Sequence, residues 1–192
     1  MSHGIRYKTN RYLLNALETT GEYKPNFLDY QTYISYTPNK RWNIDFIGNI
    51  ADNHYNFTPK DRETSFGTIV DAKQFKVYFD GQEKDRFNTL FGALGITRRI
   101  TDSTSVKFLT SAFHTKERET YDIAGQYWLN DTQTQESLGV GTYMEHARNY
   151  LSADVINFKL IVRHQTRRHD IEAGISYKTE HIKEQSREYR KE

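Results

Sequence analysis

Lys84-Asp-Arg-Phe-Asn-Thr-Leu-Phe-Gly-Ala-Leu-Gly-Ile-Thr-Arg-Arg99 and Ser105-Val-Lys-Phe-Leu-Thr-Ser-Ala-Phe-His-Thr-Lys-Glu-Arg-Glu-Thr120 flank the short segment Thr101-Asp102-Ser103-Thr104. Antiparallel strands can be joined by very few residues. Asp and Ser suit such a turn because their side chains bond their own backbone. After Thr120 the polar and aromatic stretch Tyr121–Ala147 reads as a long loop, and the chain returns as a third strand, Asn149–His164. A short turn at one end and a long loop at the other is the pattern of a transmembrane β-barrel meander. Strand length agrees. Sixteen residues, as in Lys84–Arg99, span roughly 53 Å, far more than the ~9–11 residues that cross the hydrocarbon of a bilayer.

Outward from this centre the same rhythm recurs. Leu28, Tyr30, Ile34 and Tyr36 alternate with Asp29, Gln31, Ser35 and Thr37, which predicts a strand. Thr37-Pro38-Asn39-Lys40 reads as a turn, with Pro where its fixed φ helps. Trp42, Ile44, Phe46 and Ile50 then share a face opposite Asn43, Asp45 and Asn49. Asp52–Glu83 reads as a second long connection, with a hairpin inside it around Gln74–Phe79 and the turn signal Asp80-Gly81. The competing reading makes Gln74–Phe79 a membrane strand of its own. Gln165-Thr-Arg-Arg168 is a third short turn, and Ile171, Ala173, Ile175 and Tyr177 alternate with Glu172, Gly174, Ser176 and Lys178 in the last strand, near His169–Glu180. Tyr12-Leu-Leu-Asn-Ala-Leu17 suggests a helical turn or a folded loop.

The expected fold is therefore all-β: an antiparallel up-and-down meander of about six long strands, forming part of a large transmembrane barrel. Turns 37–41, 100–104 and 165–168 belong at the periplasmic end, and loops 53–83 and 121–147 at the extracellular end. Trp42, Ile44, Phe46, Ile171, Ile175 and Tyr177 are the candidate lipid-facing residues, and Asn43, Asp45, Glu172 and Lys178 the lumen-facing ones.

Composition bounds the functions. With 36% hydrophobic and 27% charged residues and a formal net charge of +2, the chain shows no basic run that argues for nucleic acid. Mean hydropathy is −0.85, and no window approaches the ~18 apolar residues of a spanning helix. There is no cysteine, hence no disulfide framework and no thiolate chemistry. The first residues, Met1–Lys8, hold no apolar run of a secretory leader, so the barrel reading expects residues 1–192 to be an internal piece of a longer protein, without plug or signal.

Catalytic and metal patterns are weak. The seven histidines form neither HExxH nor a zinc spacing; His164 and His169 flank a turn and read as solvated. Leu138-Gly-Val-Gly141 lacks the third glycine of a phosphate loop and reads as flexible loop. Glu117 and Glu119 share a strand face as solvated charges. Ser111 and His114 have opposite parity, so they do not make a hydrolase pair. No enzyme activity, cofactor or metal is expected. In the long loop, Tyr127 and Trp128 stand out as large aromatics in a polar connection, and with His146 and Arg148 they are the candidate substrate contacts.

Glu119-Thr-Tyr-Asp-Ile-Ala-Gly-Gln-Tyr-Trp-Leu129 and Leu138-Gly-Val-Gly-Thr-Tyr-Met-Glu-His-Ala-Arg-Asn-Tyr-Leu151 resemble the barrel of TonB-dependent outer-membrane receptors of the Bacteroides type, SusC-like or carrying a carboxypeptidase-regulatory domain. Arg62-Glu-Thr-Ser-Phe-Gly-Thr68 and Val77-Tyr-Phe-Asp-Gly-Gln-Glu83 are similar to the same group. The resemblance implies a barrel of roughly 22 strands with a plugged lumen. It also implies outer-membrane localisation in a Gram-negative bacterium and import of a scarce nutrient, a siderophore, glycan or peptide, driven through TonB. The implied partners are outer-membrane lipid, TonB and a plug domain through the missing part of the chain, the nutrient, and a surface lipoprotein. A self-contained soluble ligand-binding barrel and an outer-membrane barrel enzyme are the alternatives.

Overall fold

The computed structural model describes residues 1–9, 21–68, 71–134 and 136–192. The described residues form ten strands and no helix: β1 (Ser2–Lys8), β2 (Gly21–Tyr23), β3 (Asn26–Asn39), β4 (Trp42–Pro59), β5 (Arg62–Gly67), β6 (Ala72–Arg99), β7 (Thr104–Asp131), β8 (Ser137–Gln165), β9 (Asp170–Gln185) and β10 (Glu188–Lys191). They make one antiparallel sheet in up-and-down order, β1-β3-β4-β6-β7-β8-β10, with β2 on β4, β5 on β6 and β9 on β8. The sheet is open. Its first edge is β1 and its last is β9 with β10, and neither has a further partner strand among the described residues.

The three connections expected to be short, β3–β4, β6–β7 and β8–β9, lie at one end. Arg99 N–H donates to the Arg41 carbonyl at 2.8 Å, and Gln165 N–H to the Ser103 carbonyl at 2.7 Å, tying the neighbouring turns together. The first turn falls at Lys40-Arg41, since Asn39 pairs with Trp42. Thr37 and Pro38 belong to β3 instead, at a break in the pairing between Tyr36 and Asn39. Pro has no N–H for the ladder and is tolerated in a strand at such an irregularity.

Two expected loops are strands. Tyr121–Ala147 is the continuation of β7 and the start of β8, which pair from Tyr121↔Ala147 to Leu129↔Gly139 before closing in the few residues after Asp131. Leu138–Gly141 accordingly lies within β8. Likewise β4 continues through Asp52 to Pro59, and Gln74–Phe79 belongs to the same 28-residue strand as Lys84–Arg99. It is neither a hairpin centred on Asp80-Gly81 nor a separate membrane strand. A hairpin does occur in that region, but its turn is at Thr68–Asp71, where Thr68 N–H donates to the Asp71 carbonyl at 3.0 Å. Gly81 does hold a positive φ of 110°, as an Asp-Gly signal suggests, yet β6 and β7 pair through it without interruption, Gly81 opposite Ile123. The cause of the misreading is physical. In these extensions the apolar side chains change sides: Phe75, Val77 and Phe79 of β6 and Tyr121, Ile123, Tyr127 and Leu129 of β7 lie on the face away from Leu90, Ile96 and Phe108, so the alternation shifts parity along the strand and reads as a break. Ser2–Lys8 also pairs along β3, with His3, Ile5 and Tyr7 alternating with Ser2, Gly4, Arg6 and Lys8, a strand too short to be assigned from its pattern alone. The segment Tyr12–Leu17 lies outside the described residues.

The pairing sorts side chains onto two faces. Trp42, Ile44, Phe46, Ile171, Ile175 and Tyr177 fall on one, hereafter the belt face, and Asn43, Asp45, Glu172 and Lys178 on the other. Among the described residues no large side chain is fully buried. The buried strand side chains Asp29, Thr115, Ala147 and Ala153 point to the opposite face. Most of the large exposed apolar residues point to the belt face, Ile175 at 73% and Tyr177 at 65% exposure. A sheet of this length without a buried core needs some non-aqueous partner for that face.

Candidate functional site

The belt is built row by row. Ile44, Ile96, Phe108, Leu160 and Ile175 are consecutive cross-strand neighbours, with Tyr36 of β3 beside Ile44. The next row on the same face holds Ile34, Phe46, Leu94, Thr110, Phe158 and Tyr177. Along β4 the apolar positions run from Trp42 to Ile50, roughly 27 Å of strand. Tyr36 and Trp42 stand at the turn end, with the Arg98 guanidinium 5.1 Å from the Trp42 ring; Tyr7, Tyr30 and Tyr177 stand at the other end. Aromatic residues at both rims of an apolar band are what a membrane interface selects.

The upper margin of the belt is slanted against the hydrogen-bond rows. It lies at Leu28 in β3, Ile50 in β4, Leu90 in β6, Ala112 in β7, Ile156 in β8 and Tyr177 in β9. Followed through the pairing, that margin drops by six residues over the five steps from β3 to β9. With ~3.3 Å per residue and ~4.8 Å between strands, the slope corresponds to strands tilted by roughly 40° from the normal to a level belt, within the ~35–45° of transmembrane barrels. At that tilt the belt is about 20 Å tall, close to the ~25 Å apolar band of such barrels.

Beyond the margin, most cations lie on one face and the glutamates of β6 to β10 on the other. The belt face carries Lys84, Arg86, Lys116, Arg118, Arg148 and Lys183; at the same level the opposite face carries Glu83, Asp85, Glu117, Glu119, Glu184 and Glu188. His114 and Asp154 pair at 2.6 Å at the margin itself. Asp52 takes both Arg86 (3.0 Å) and His54 (3.0 Å). On the opposite face the Asp85 carboxyl is pushed up to about 6, by burial first and then by Glu83 and Glu119. Its Oδ1 is buried without a hydrogen-bond partner. Burial also raises Glu83, and it drives the Tyr55 hydroxyl, opposite Asp85 across β4 and β6, up to about 12.

The four candidate substrate contacts lie on strands, and the structure divides them. His146 and Arg148 meet at Asp122, which accepts from Nδ1 of the former and Nη2 of the latter. The Arg148 hydrogen bond holds the Asp122 carboxyl below the usual carboxylate range. Arg148 also donates to the Tyr121 carbonyl at 3.0 Å, and the Tyr189 ring stacks on His146 at 4.8 Å. Trp128, on the same face but six residues further out, stands edge-on to Tyr78 at 5.1 Å. Tyr127 points to the opposite face, 6.2 Å from Phe75. His164, paired with Ile171, contacts the Thr104 hydroxyl at 2.9 Å, whereas His169 lies in the turn.

Sequence reading missed Asp122 as the centre of this group and missed the cationic band. The signal for the band was present: Lys84 and Arg86 continue the parity of Leu90 to Ile96, and Lys116 and Arg118 that of Val106 to Ala112. No protein-family model matches the chain, and no curated protein matches it.

Proposed function

We propose that this sheet is part of the wall of a large barrel in the outer membrane of a Gram-negative bacterium, contributed to a TonB-dependent receptor that imports a scarce nutrient. The observation that carries the membrane assignment is the slanted apolar belt. A level belt crossing tilted strands has a use only where a planar apolar medium meets the sheet. The resemblance of Glu119–Leu129 and Leu138–Leu151 to TonB-dependent receptors supplies the narrower reading. In it the chain's part is passive: the belt face meets lipid, the opposite face lines the lumen, and β6, β7 and β8 carry the wall outward. TonB and plug act through other parts of such a receptor. The open edges and the lack of a fully buried large side chain among the described residues argue against a self-contained soluble barrel.

The test uses the two tryptophans of the chain, Trp42 and Trp128. In a Trp128→Phe background reconstituted in vesicles, brominated phosphatidylcholine should quench Trp42 strongly, while an aqueous quencher should leave it largely untouched. The reverse pattern would remove the membrane assignment. For the transport reading, a receptor carrying this wall should lose TonB-dependent uptake of its nutrient when Ile175→Arg is introduced, with uptake kept for Ser176→Arg.

A further inference from the structure

The cations above the belt are under-neutralised. Arg86 and Arg118 are direct cross-strand partners, and like charges placed so destabilise a sheet. Asp52 serves Arg86 and Asp122 serves Arg148, but Lys84, Lys116, Arg118 and Lys183 have no ion pair among the described residues. Lys116 and Lys183 both pair across to Ser152 of β8, and with Arg86, Arg118 and Tyr150 they border a cleft of about 510 Å³ whose lining also includes Glu117 and Glu184, so four cations share it with two carboxylates. The glutamates of this level, Glu83, Glu117, Glu119, Glu184 and Glu188, project from the other face of the sheet. A wall that met only water there would gain from mixing the two signs.

Position identifies the counter-charge. Arg86 and Lys116 stand four residues beyond the belt margin at Leu90 and Ala112, and Lys84, Arg118 and Lys183 six residues beyond the margin at Leu90, Ala112 and Tyr177. At a tilt of roughly 40° that is about 10–15 Å above the belt. Lys and Arg turn back toward an interface by several ångströms while their stems lie on the sheet, which brings the charges to the headgroup layer, about 5–8 Å deep on each side of a bilayer. We propose that Lys84, Lys116, Arg118 and Lys183 form a binding band for phosphate-bearing lipid headgroups, seated against the belt face beside Tyr150. The proposal rests on the barrel-wall reading above.

The full chain, solubilised in neutral detergent, should retain phosphatidic acid through gel filtration. The Lys116→Gln/Arg118→Gln/Lys183→Gln variant should bind it at least about tenfold more weakly, given the attraction of each basic residue to an anionic surface. Lys107→Gln/Lys159→Gln/Lys178→Gln removes the same charge from the opposite face and should retain the lipid. Quenching of Trp42 by brominated phosphatidylcholine should be alike in all three. Normal quenching with equal retention in both variants, or equal loss, overturns the band and leaves the barrel wall standing. Displacement of the lipid by excess inorganic phosphate overturns the headgroup assignment in favour of a soluble anion. Absence of quenching in every protein overturns the wall reading, and the band with it.

Discussion

Gly125 and Gly141 each lie opposite a tyrosine across β7 and β8, Gly125 with Tyr143 and Gly141 with Tyr127. A Cβ at either glycine would overlap the facing ring, so the two tyrosines lie flat over bare backbone, an arrangement that protects glycine in a strand. Gly139 has open space around it. Gly141→Val should therefore cost about 1–3 kcal/mol by displacing Tyr127, whereas Gly139→Val should be close to neutral; thermal unfolding in detergent checks the pair. Asp85 offers a pH test. Its raised carboxyl, at about 6, means that the folded sheet holds a proton the unfolded chain has already released. Stability on this account is highest below the unfolded value near 3.8 and falls as pH rises to about 6, with the whole penalty present above it. Asp85→Asn should then raise the melting temperature at about pH 8 and lose that advantage at about pH 4, as melting curves at the two pH values will read.

At the scale of the strand, the belt makes a directional claim. Ile175 and Ser176 are neighbours on β9, on opposite faces. Arg at Ile175 should destabilise the inserted sheet by ~2–4 kcal/mol if it lies near the bilayer midplane, and Arg at Ser176 should do little; denaturant titration in vesicles measures both, and equal effects would end the lipid-facing assignment. This element was the most legible part of the chain. Ile171, Ala173, Ile175 and Tyr177 alternate without interruption with Glu172, Gly174, Ser176 and Lys178, so one side of β9 is apolar and the other polar. Tyr121–Ala147 was illegible as strand because its apolar residues, Tyr121, Ile123, Tyr127 and Leu129, sit on the face opposite to Phe108 and Ala112, so the period of two continues with its parity reversed. Its pairing was nonetheless written in another form: Gly125-Gln-Tyr127 and Gly141-Thr-Tyr143 are matching triplets that interlock when the strands run antiparallel. His146 and Arg148 were found by residue type, but the carboxylate that joins them, Asp122, comes from a neighbouring strand and needed the pairing to be seen.

Among the described residues the sheet has two unpaired edges and an exposed apolar face, and both recruit other chains in water. Expressed alone, the chain should collect in inclusion bodies and be recovered in detergent with β-type circular dichroism; a monodisperse soluble monomer with a cooperative transition in detergent-free buffer would contradict this, as sedimentation and calorimetry can show. The long strands also set a height. From Ala112 at the belt margin β7 runs on to Asp131, which at a tilt of roughly 40° lifts the closing turn some 50 Å clear of the apolar layer. Mounted on a cell, such a rampart would overtop the inner sugars of the surface coat. A phage tail fibre or an antibody would touch its crest well before anything else of the molecule, so selection by predators and hosts would fall on the residues around that turn and spare the stem.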